Sequence, residues 1–356
     1  SQSVWPKLSY GTQVHKHIAL YAYALESRWN LSYYSPMNTA RVPYPKNLRE
    51  FRKQFGTEEL CREYLIRCRW PDGFVCAQCG NTKYWLRRTG KILECSECFQ
   101  NVSPISDTVM HGSHVQIQEW FWAAYLVATL TPGISATQLQ RQIGIGSYRT
   151  AWFMLSRLRK AMVNDSRTQL SGLIEADETL VGGPAEGRKG RGVAKSSNVS
   201  LVVGAVEVLT YTSKNGTSRE KAVRLRLEHV QSADEKTIET FLGKNAEKGS
   251  KIRTDGWRGY SKTALTSYHH EVRVVGTAKA HQLAPHIHRV FSNLKTWING
   301  TYHGVEPKYL QTYLDEFVFR FNRRKTPMAA FQTLLGIATH KKPISLAQIK
   351  LRDSSA

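Results

Sequence analysis

Two cysteine pairs constrain the fold of this chain more than any other feature. Cys76 and Cys79 form one Cys-x2-Cys pair. Cys95 and Cys98 form a second pair after an interval of fifteen residues. Two such pairs hold four thiolates around one tetrahedral zinc ion, and the metal supplies folding energy to a small ribbon. Because four thiolates leave no open coordination position, we expect structural zinc here and not a catalytic ion.

All six cysteines of the chain lie between residues 61 and 98. Such clustering argues against a disulfide framework and favours one local metal site in a reducing compartment. Cys61 and Cys68 precede the two pairs, and we interpret them as ordinary thiols of a helix core or surface.

The net charge of the 356-residue chain is +22, and its isoelectric point is near 9.8. A chain this basic indicates a polyanionic partner, usually nucleic acid, although a basic surface can also serve solubility alone. The sequence contains no run of eighteen apolar residues, and its first residues lack the order of a secretory signal. We therefore predict a nucleic-acid-binding protein without a membrane span.

Residues 135–163 predict two helices joined by a short glycine turn. Gly144 lies in the turn, and Ser147 is a favourable N-cap for the second helix. Such a pair is typical of helix-turn-helix DNA-binding domains and also of plain helix bundles. In the DNA-binding case Tyr148 and Arg149, at the start of the second helix, would face the groove.

The second of these helices carries an apolar stripe at helical spacing. The stripe consists of Ala151, Leu155, Leu158 and Met162. The basic residues Arg157 and Arg159 lie mostly off the stripe.

The second half of the chain places acidic residues at strand ends. Asp177 lies late in an apolar strand, and Asp255 ends another strand 78 residues further on. Carboxylates from adjacent strands suit Mg²⁺, and two ions about 4 Å apart can activate a nucleophile and stabilise a leaving oxygen at phosphorus. Strand alternation places Glu175 on the same face as Asp177 and Glu178 on the other. We prefer Asp177 as a ligand, with Glu178 as an outer candidate.

Five segments carry a family resemblance. They are RWPDGFVCAQCG (69–80), EADETLVGG (175–183), TDGWRGY (254–260), HRVFSNLKTWINGTYHGV (288–305) and YLDEFVFRFNRR (313–324). In this order they resemble bacterial insertion-sequence DDE-type transposases of the zinc-ribbon family related to Merlin transposons. The resemblance extends from about Arg41 to Leu334.

The resemblance implies an RNase H-like catalytic core that cuts and joins transposon-end DNA with a divalent metal, Mg²⁺ or Mn²⁺. It implies Asp177 and Asp255 as the first two catalytic acids. It also implies a homodimer or larger synaptic complex, an N-terminal part that binds terminal inverted repeats, and a location in the bacterial cytoplasm at the nucleoid.

In many relatives the third metal ligand is a glutamate seven residues before a lysine in the last core helix. Counting back seven from Lys295 reaches His288, a departure from this pattern that other members share. Seven residues are nearly two helical turns, so His288, Ser292 and Lys295 share one helix face. A neutral imidazole can ligate the metal or accept a proton, or His288 marks an enzyme that has lost its third ligand. Lys295 would bind a DNA phosphate.

Further residues are predicted to contact DNA or to complete the site. The basic segment 184–198 would bind phosphates, and the aromatic-basic cluster at 257–260 would stack on a base or pack beneath its strand. The candidates are Arg188, Lys189, Arg191, Lys195, Trp257 and Arg258. Asp315 or Glu316 would supply a missing acid or form salt bridges with nearby arginines.

We therefore expect a multidomain α+β chain. Its predicted parts are an extension of uncertain role (1–45), a helical N-terminal segment (46–69), a zinc ribbon (70–105), a helix-turn-helix domain (106–168), an RNase H-like catalytic domain with a mixed sheet flanked by helices (169–335) and a C-terminal tail (336–356). The expected activity is that of a metal-dependent DNA transposase, which hydrolyses and transesterifies phosphodiester bonds of double-stranded DNA. The alternatives are an RNase H-like nuclease or resolvase that cleaves without joining, and a domesticated DNA-binding protein without catalysis.

Overall fold

The computed structural model describes residues 45–87, 91–163, 167–182, 199–257, 259–261, 264–273, 284–343, 345 and 348–349. The basic segment predicted at 184–198 lies outside the described residues. All the elements named below belong to the larger of two units into which the chain divides, Pro43–Val163 together with Gln169–Ala356.

A small antiparallel sheet carries the cysteine pairs. Its strands are β1 (Tyr84–Arg87), β2 (Ile92–Cys95) and β3 (Asn101–Val102), in the spatial order β1-β2-β3. Phe74 and Leu93 are buried together with Cys76 and Cys95 in a core of their own. So few apolar side chains stabilise a fold weakly, which is the situation in which a structural metal is needed.

A helical bundle surrounds an aromatic core. Its members are α1 (Leu48–Gln54), α2 (Glu58–Arg69), α3 (Ile117–Thr129) and α9 (Pro327–His340), the last of which returns from the far end of the chain. Phe51, Phe55 and Phe121 pack edge-on against Phe331 of α9 with ring centroids 5.5, 5.6 and 6.3 Å away. The N-terminal and C-terminal segments therefore share one core.

Helices α4 (Ala136–Ile143) and α5 (Tyr148–Ala161) form the predicted helical pair. Gly144 ends α4 with a left-handed φ of 72°, a conformation that favours glycine. The predicted apolar stripe of α5 is buried. Arg159 is buried as well, although it lies off that stripe, because Glu316 of a later helix pairs with it.

A five-stranded mixed sheet forms the core of the second half. Its strands are β4 (Leu173–Gly182), β5 (Val199–Thr212), β6 (Ser218–Val230), β7 (Lys251–Thr254) and β8 (His269–Val272), in the spatial order β6-β5-β4-β7-β8. The pairs β4–β5 and β5–β6 are antiparallel, and β4–β7 and β7–β8 are parallel.

Helices cover both faces of this sheet. Helix α6 (Glu235–Asn245) packs on one face through Ile238, Phe241 and Leu242. Helices α7 (Pro285–Tyr302) and α8 (Pro307–Asn322) pack on the other face. Three antiparallel strands followed by parallel strands, flanked by helices, agree with the predicted RNase H-like core, and the α+β fold class is confirmed. None of the helices in the described part of the chain has the length and hydropathy that a bilayer crossing requires.

Candidate active site and metal centres

The four paired cysteines converge on one point. The Sγ atoms of Cys76 and Cys98 lie 3.5 Å apart, as do those of Cys79 and Cys95. All four sulfur atoms lie within 4.8 Å of one another. Four thiolates at the usual zinc distance would be separated by roughly 3.8 Å, so the donor set and its spacing fit a tetrahedral zinc site.

The two Cys-x2-Cys pairs have the same backbone geometry. The N–H of Gly80 donates to the carbonyl of Cys76 at 2.9 Å, and the N–H of Phe99 donates to that of Cys95 at 3.1 Å. Gly80 and Phe99 both have left-handed φ angles, 73° and 57°. The backbone N–H of Cys98 contributes most to lowering the pKa of the Cys95 thiol to about 6. This favours the thiolate, the form that binds metal.

The register of two parallel strands brings Asp177 and Asp255 together. Strand β4 pairs with β7 so that Leu173, Ile174 and Glu175 each face a residue 78 positions later. The same interval separates Asp177 from Asp255, which directly follows β7. The two aspartates therefore lie side by side where β7 ends, and both line an open pocket of about 380 Å³.

Helix α7 closes one side of this pocket. The complete lining is Asp177, Glu178, Thr179, Asp255, His288, Phe291, Ser292 and Lys295. His288, Ser292 and Lys295 therefore share the pocket-facing side of α7, as the helical spacing predicts. The neighbouring apolar residues of the helix are buried against the sheet.

The imidazole of His288 approaches the carboxylate of Asp177. Nδ1 of His288 lies 3.5 Å from Oδ2 of Asp177, and the two side chains are 28% and 7% exposed. The other carboxylate oxygen, Oδ1, accepts the backbone N–H of Glu178 at 2.8 Å. Oδ1 of Asp255 accepts the backbone N–H of Trp257 at 3.0 Å. Each aspartate thus has one oxygen held by the backbone, which fixes how its side chain is turned.

Comparison with known families decides what kind of protein carries this pocket. The family model described as an ISXO2-like transposase domain matches residues 169–322. The model described as a transposase zinc-ribbon domain matches residues 56–101. The chain belongs to the insertion-sequence DDE transposases. No curated protein and no solved structure gives a significant match to it.

The transposase contains a second acidic group near the pocket. Glu175, Glu220 and His286 have ligand atoms within 4.8 Å of one another. Nη1 of Arg253 lies 3.2 Å from Oε1 of Glu175 and 3.1 Å from Oε2 of Glu220. The guanidinium pairs with both carboxylates, so we interpret this group as an ion-pair network and not as a metal site. His286 faces Glu220 at 3.6 Å and is not part of the lining of the pocket.

Tyr260 lies beneath the acidic pocket of the transposase. Its side chain is buried, and burial raises the pKa of Tyr260 well above its ordinary value of 10. The nearby carboxylates of Glu178, Asp177 and Asp255 raise this pKa further. The phenol therefore stays protonated and neutral at physiological pH.

The residues predicted to contact DNA have different outcomes. Tyr148, which is 53% exposed, and Arg149 lie at the accessible start of α5. Trp257 packs against the core on the α6 face of the sheet, and its indole N–H donates to the carbonyl of Ala233 at 3.4 Å. The remaining candidates lie outside the described residues: Arg188, Lys189, Arg191, Lys195 and Arg258.

Glu316 forms salt bridges and does not reach the pocket. Its carboxylate lies 2.7 Å from Nε of Arg159 and 3.6 Å from Nη1 of Arg320. Asp315 accepts a hydrogen bond from Gln311 at 3.0 Å. Neither acidic residue is part of the lining that contains Asp177 and Asp255.

Sequence reasoning missed the buried carboxylate of Glu175 as a determinant of this site. Its position beside Asp177 on one strand face was visible, but its hydrogen bonds to the start of α7 were not. The one local signal is a negative one, because α7 begins with Ala284 at the N-cap position, which has no capping side chain.

Proposed function

We propose that the transposase is catalytically active: it binds the terminal inverted repeats of its element, cuts the DNA beside them and joins the released ends to a target. The observation that carries the proposal is that Asp177, Asp255, His288 and Lys295 line the same pocket. The family match supports action on DNA, and the net charge of +22 suits a polyanionic substrate.

We propose that Asp177 and Asp255 hold Mg²⁺ or Mn²⁺, with the imidazole of His288 as the third donor. Two carboxylates in an open pocket fit ions that prefer oxygen and retain several waters. Bound divalent ions would stabilise the negative charge that develops on the attacking and leaving oxygens at phosphorus.

The reaction is then a pair of in-line displacements. In the first, the oxygen of a water attacks phosphorus, the bond from phosphorus to the 3′ oxygen breaks, and the proton of the water leaves to solvent. In the second, the freed 3′ hydroxyl attacks a phosphorus of the target, and one target strand is released with its own 3′ hydroxyl. The ammonium group of Lys295 would bind a non-bridging phosphate oxygen and hold the scissile bond in the pocket.

We infer that the remaining parts serve DNA binding and assembly. Helices α4 and α5 would read the terminal repeats as a helix-turn-helix, with Tyr148 and Arg149 in the groove. The ribbon would hold structural zinc through its four cysteines. The basic segment 184–198, with Arg188, Lys189, Arg191 and Lys195, would contact backbone phosphates, as would Arg258. The working form would be a homodimer or higher oligomer bound to both ends at the bacterial nucleoid.

A strand-transfer assay tests the proposal. The transposase is incubated with labelled inverted-repeat ends, target DNA and Mg²⁺ or Mn²⁺. Joined product supports the transposase. Nicks alone would support a nuclease or resolvase, and a shifted but uncut band would support a DNA-binding protein without catalysis. The variant Asp177→Asn is expected to abolish cutting while binding the ends with unchanged affinity, and cutting at the wild-type rate would overturn the assignment of Asp177.

A further inference from the structure

Strand β4 carries a second buried carboxylate that the proposed chemistry does not use. Glu175 is completely buried, two residues before Asp177 and on the same face of the sheet. Its Oε2 accepts the backbone N–H of His286 at 2.8 Å and that of Ile287 at 3.0 Å. These two N–H groups belong to the first turn of α7, where a helix has no acceptors of its own.

The start of α7 depends on this distant carboxylate because the helix has no local cap. Ala284 occupies the N-cap position without a side-chain hydrogen bond, and the first turn contains no acidic residue. A carboxylate at this position satisfies two amide donors and is favoured by the helix dipole. Glu175 therefore supplies from the sheet the cap that most helices obtain from the preceding residue.

Arg253 holds Glu175 in place from the opposite side. Its Nη1 donates to Oε1 of Glu175 at 3.2 Å, and the same guanidinium pairs with Glu220 and Glu271. These partners come from β4, β6 and β8, and Arg253 itself lies in β7, so the guanidinium connects four of the five strands of the sheet. One oxygen of the Glu175 carboxylate thus contacts Arg253 of the sheet, and the other contacts the start of α7.

The contact between Glu175 and the start of α7 fixes the position of this helix over the sheet close to the pocket. Asp177 lies roughly 7 Å along the strand from Glu175. His288 follows directly after the two capped residues, and its Nδ1 lies 3.5 Å from Asp177. Because Glu175 of β4 binds the start of α7, it determines where the imidazole of His288 lies relative to Asp177, the next residue on the same face of β4.

We propose that Glu175 is a positioning residue, which fixes the start of α7 on β4 so that His288 faces Asp177. The inference rests on the proposed function only in so far as His288 serves catalysis. The position of His288 depends on Glu175 whether or not His288 serves catalysis, and this dependence can be measured without an activity assay.

A double-mutant cycle tests the catalytic part. Glu175→Gln and His288→Ala are compared singly and together for the rate of DNA cleavage. We expect Glu175→Gln to lower the rate roughly 100-fold, the loss typical of a misplacement of about 1 Å. The double variant should be no slower than His288→Ala alone, because Glu175 acts through His288. If the two losses multiply, Glu175 does not act through His288 and this part is overturned.

Glu271→Gln is the matched control for the cycle. It removes another carboxylate from Arg253, at 3.4 Å from Nε, but has no contact with the amides of α7. It should cleave within about twofold of the wild-type rate. A loss equal to that of Glu175→Gln would show that the charge of the network matters and not the capping of the helix.

Crystal structures of the wild type and of two variants test the positional part without reference to activity. Glu175→Gln replaces one acceptor oxygen by a donor, and Glu175→Asp keeps the charge but is one methylene shorter. In both, the distance from Nδ1 of His288 to Oδ2 of Asp177 should increase from 3.5 Å by about 1 Å or more. An unchanged distance in Glu175→Asp would refute the proposal even if Glu175→Gln does not fold. An inactive wild type whose variants show the increase would instead refute the proposed function alone.

Discussion

Nδ1 of His288 lies 3.5 Å from Oδ2 of Asp177, so the pocket contains an imidazole facing a carboxylate. In many relatives a third carboxylate, from glutamate, occupies the position of His288. A neutral imidazole beside Asp177 repels the aspartate less than a glutamate would, and it offers one nitrogen where a carboxylate offers two oxygens. The metal ion that the site prefers and the protonation of the site should both reflect this difference.

The metal preference of cleavage should depend on His288. Because nitrogen donors bind Mn²⁺ more readily than Mg²⁺, we expect the wild type to cleave faster with Mn²⁺ than with Mg²⁺. His288→Glu should cleave at least as fast with Mg²⁺ as with Mn²⁺. His288→Ala should lose roughly 100-fold with either ion. Initial cleavage rates over a range of each ion give the comparison. Ser292→Ala, on the same side of the same pocket, is the matched control and should keep the wild-type preference. An inactive but folded His288→Glu would argue that His288 accepts a proton and does not bind metal.

The close approach of α7 to the sheet should depend on Gly204. This residue of β5 pairs with Asp177 of β4, and a Cβ added there would lie 2.8 Å from the ring of Phe291 in α7. Gly204→Ala should lower the free energy of unfolding by about 1–3 kcal/mol, the usual effect of overpacking, and should also slow cleavage. Urea denaturation measures the first effect, and the cleavage assay measures the second.

Two further variants give this prediction its controls. Gly243→Ala lies in α6, where an added Cβ meets no atom within 4 Å, so it should raise the stability by up to about 1 kcal/mol and leave the cleavage rate near the wild-type value. Phe291→Leu in the Gly204→Ala background should restore part of the lost stability because it removes ring atoms from the clash. If Gly204→Ala and Gly243→Ala behave alike, the contact with Phe291 does not limit the packing of α7.

Removal of zinc should unfold the ribbon and leave the five-stranded sheet intact. The ribbon has a small core of its own, whereas the sheet is buried on both faces by three helices. We expect one zinc per chain, and we expect Cys95→Ser or a chelator to abolish zinc binding and expose residues 70–105 to proteases. Cys68→Ser, a cysteine outside the four-sulfur cluster, should retain the metal. Undiminished zinc in Cys95→Ser would contradict the site.

The buried pair of Arg159 and Glu316 should contribute strongly to stability when only one partner is removed. Nε of Arg159 lies 2.7 Å from Oε2 of Glu316, and the side chains are 2% and 0% exposed. Glu316→Gln leaves a buried guanidinium without its countercharge and should cost about 3–5 kcal/mol in the free energy of unfolding.

The double variant Arg159→Met with Glu316→Leu should recover most of that loss because neither charge remains buried. An exposed pair offers the control. Lys244 and Glu228 lie 3.4 Å apart with side chains 61% and 33% exposed, and Glu228→Gln should cost less than about 1 kcal/mol. Equal losses at the two sites would mean that burial does not govern the strength of the Arg159 pair.

Local patterns in the sequence predicted the cysteine ribbon and several of the residues that line the pocket. The spacing of Cys76, Cys79, Cys95 and Cys98 identified the ribbon, and the helical interval between His288 and Lys295 identified the pocket-facing side of α7. The spacing within each cysteine pair and the interval within α7 are both short, so local backbone geometry converts each of them into a direction in space. The interval of 78 residues between the aspartates was visible too, but it became informative only once the register of β4 and β7 was known.

Tertiary structure alone decided which polar groups meet across the chain. Arg159 lies off the apolar stripe of α5, and it is buried because Glu316 comes from α8. Glu175 lies on the expected face of β4, yet its role as the cap of α7 depends on a helix that begins 110 residues later in the chain. Hydrophobic periodicity reports which side of an element is apolar, but it contains no information on the element packed against that side. The sequence by itself therefore determined the family, the ribbon and the acids of the pocket, and packing decided how His288 is brought to Asp177.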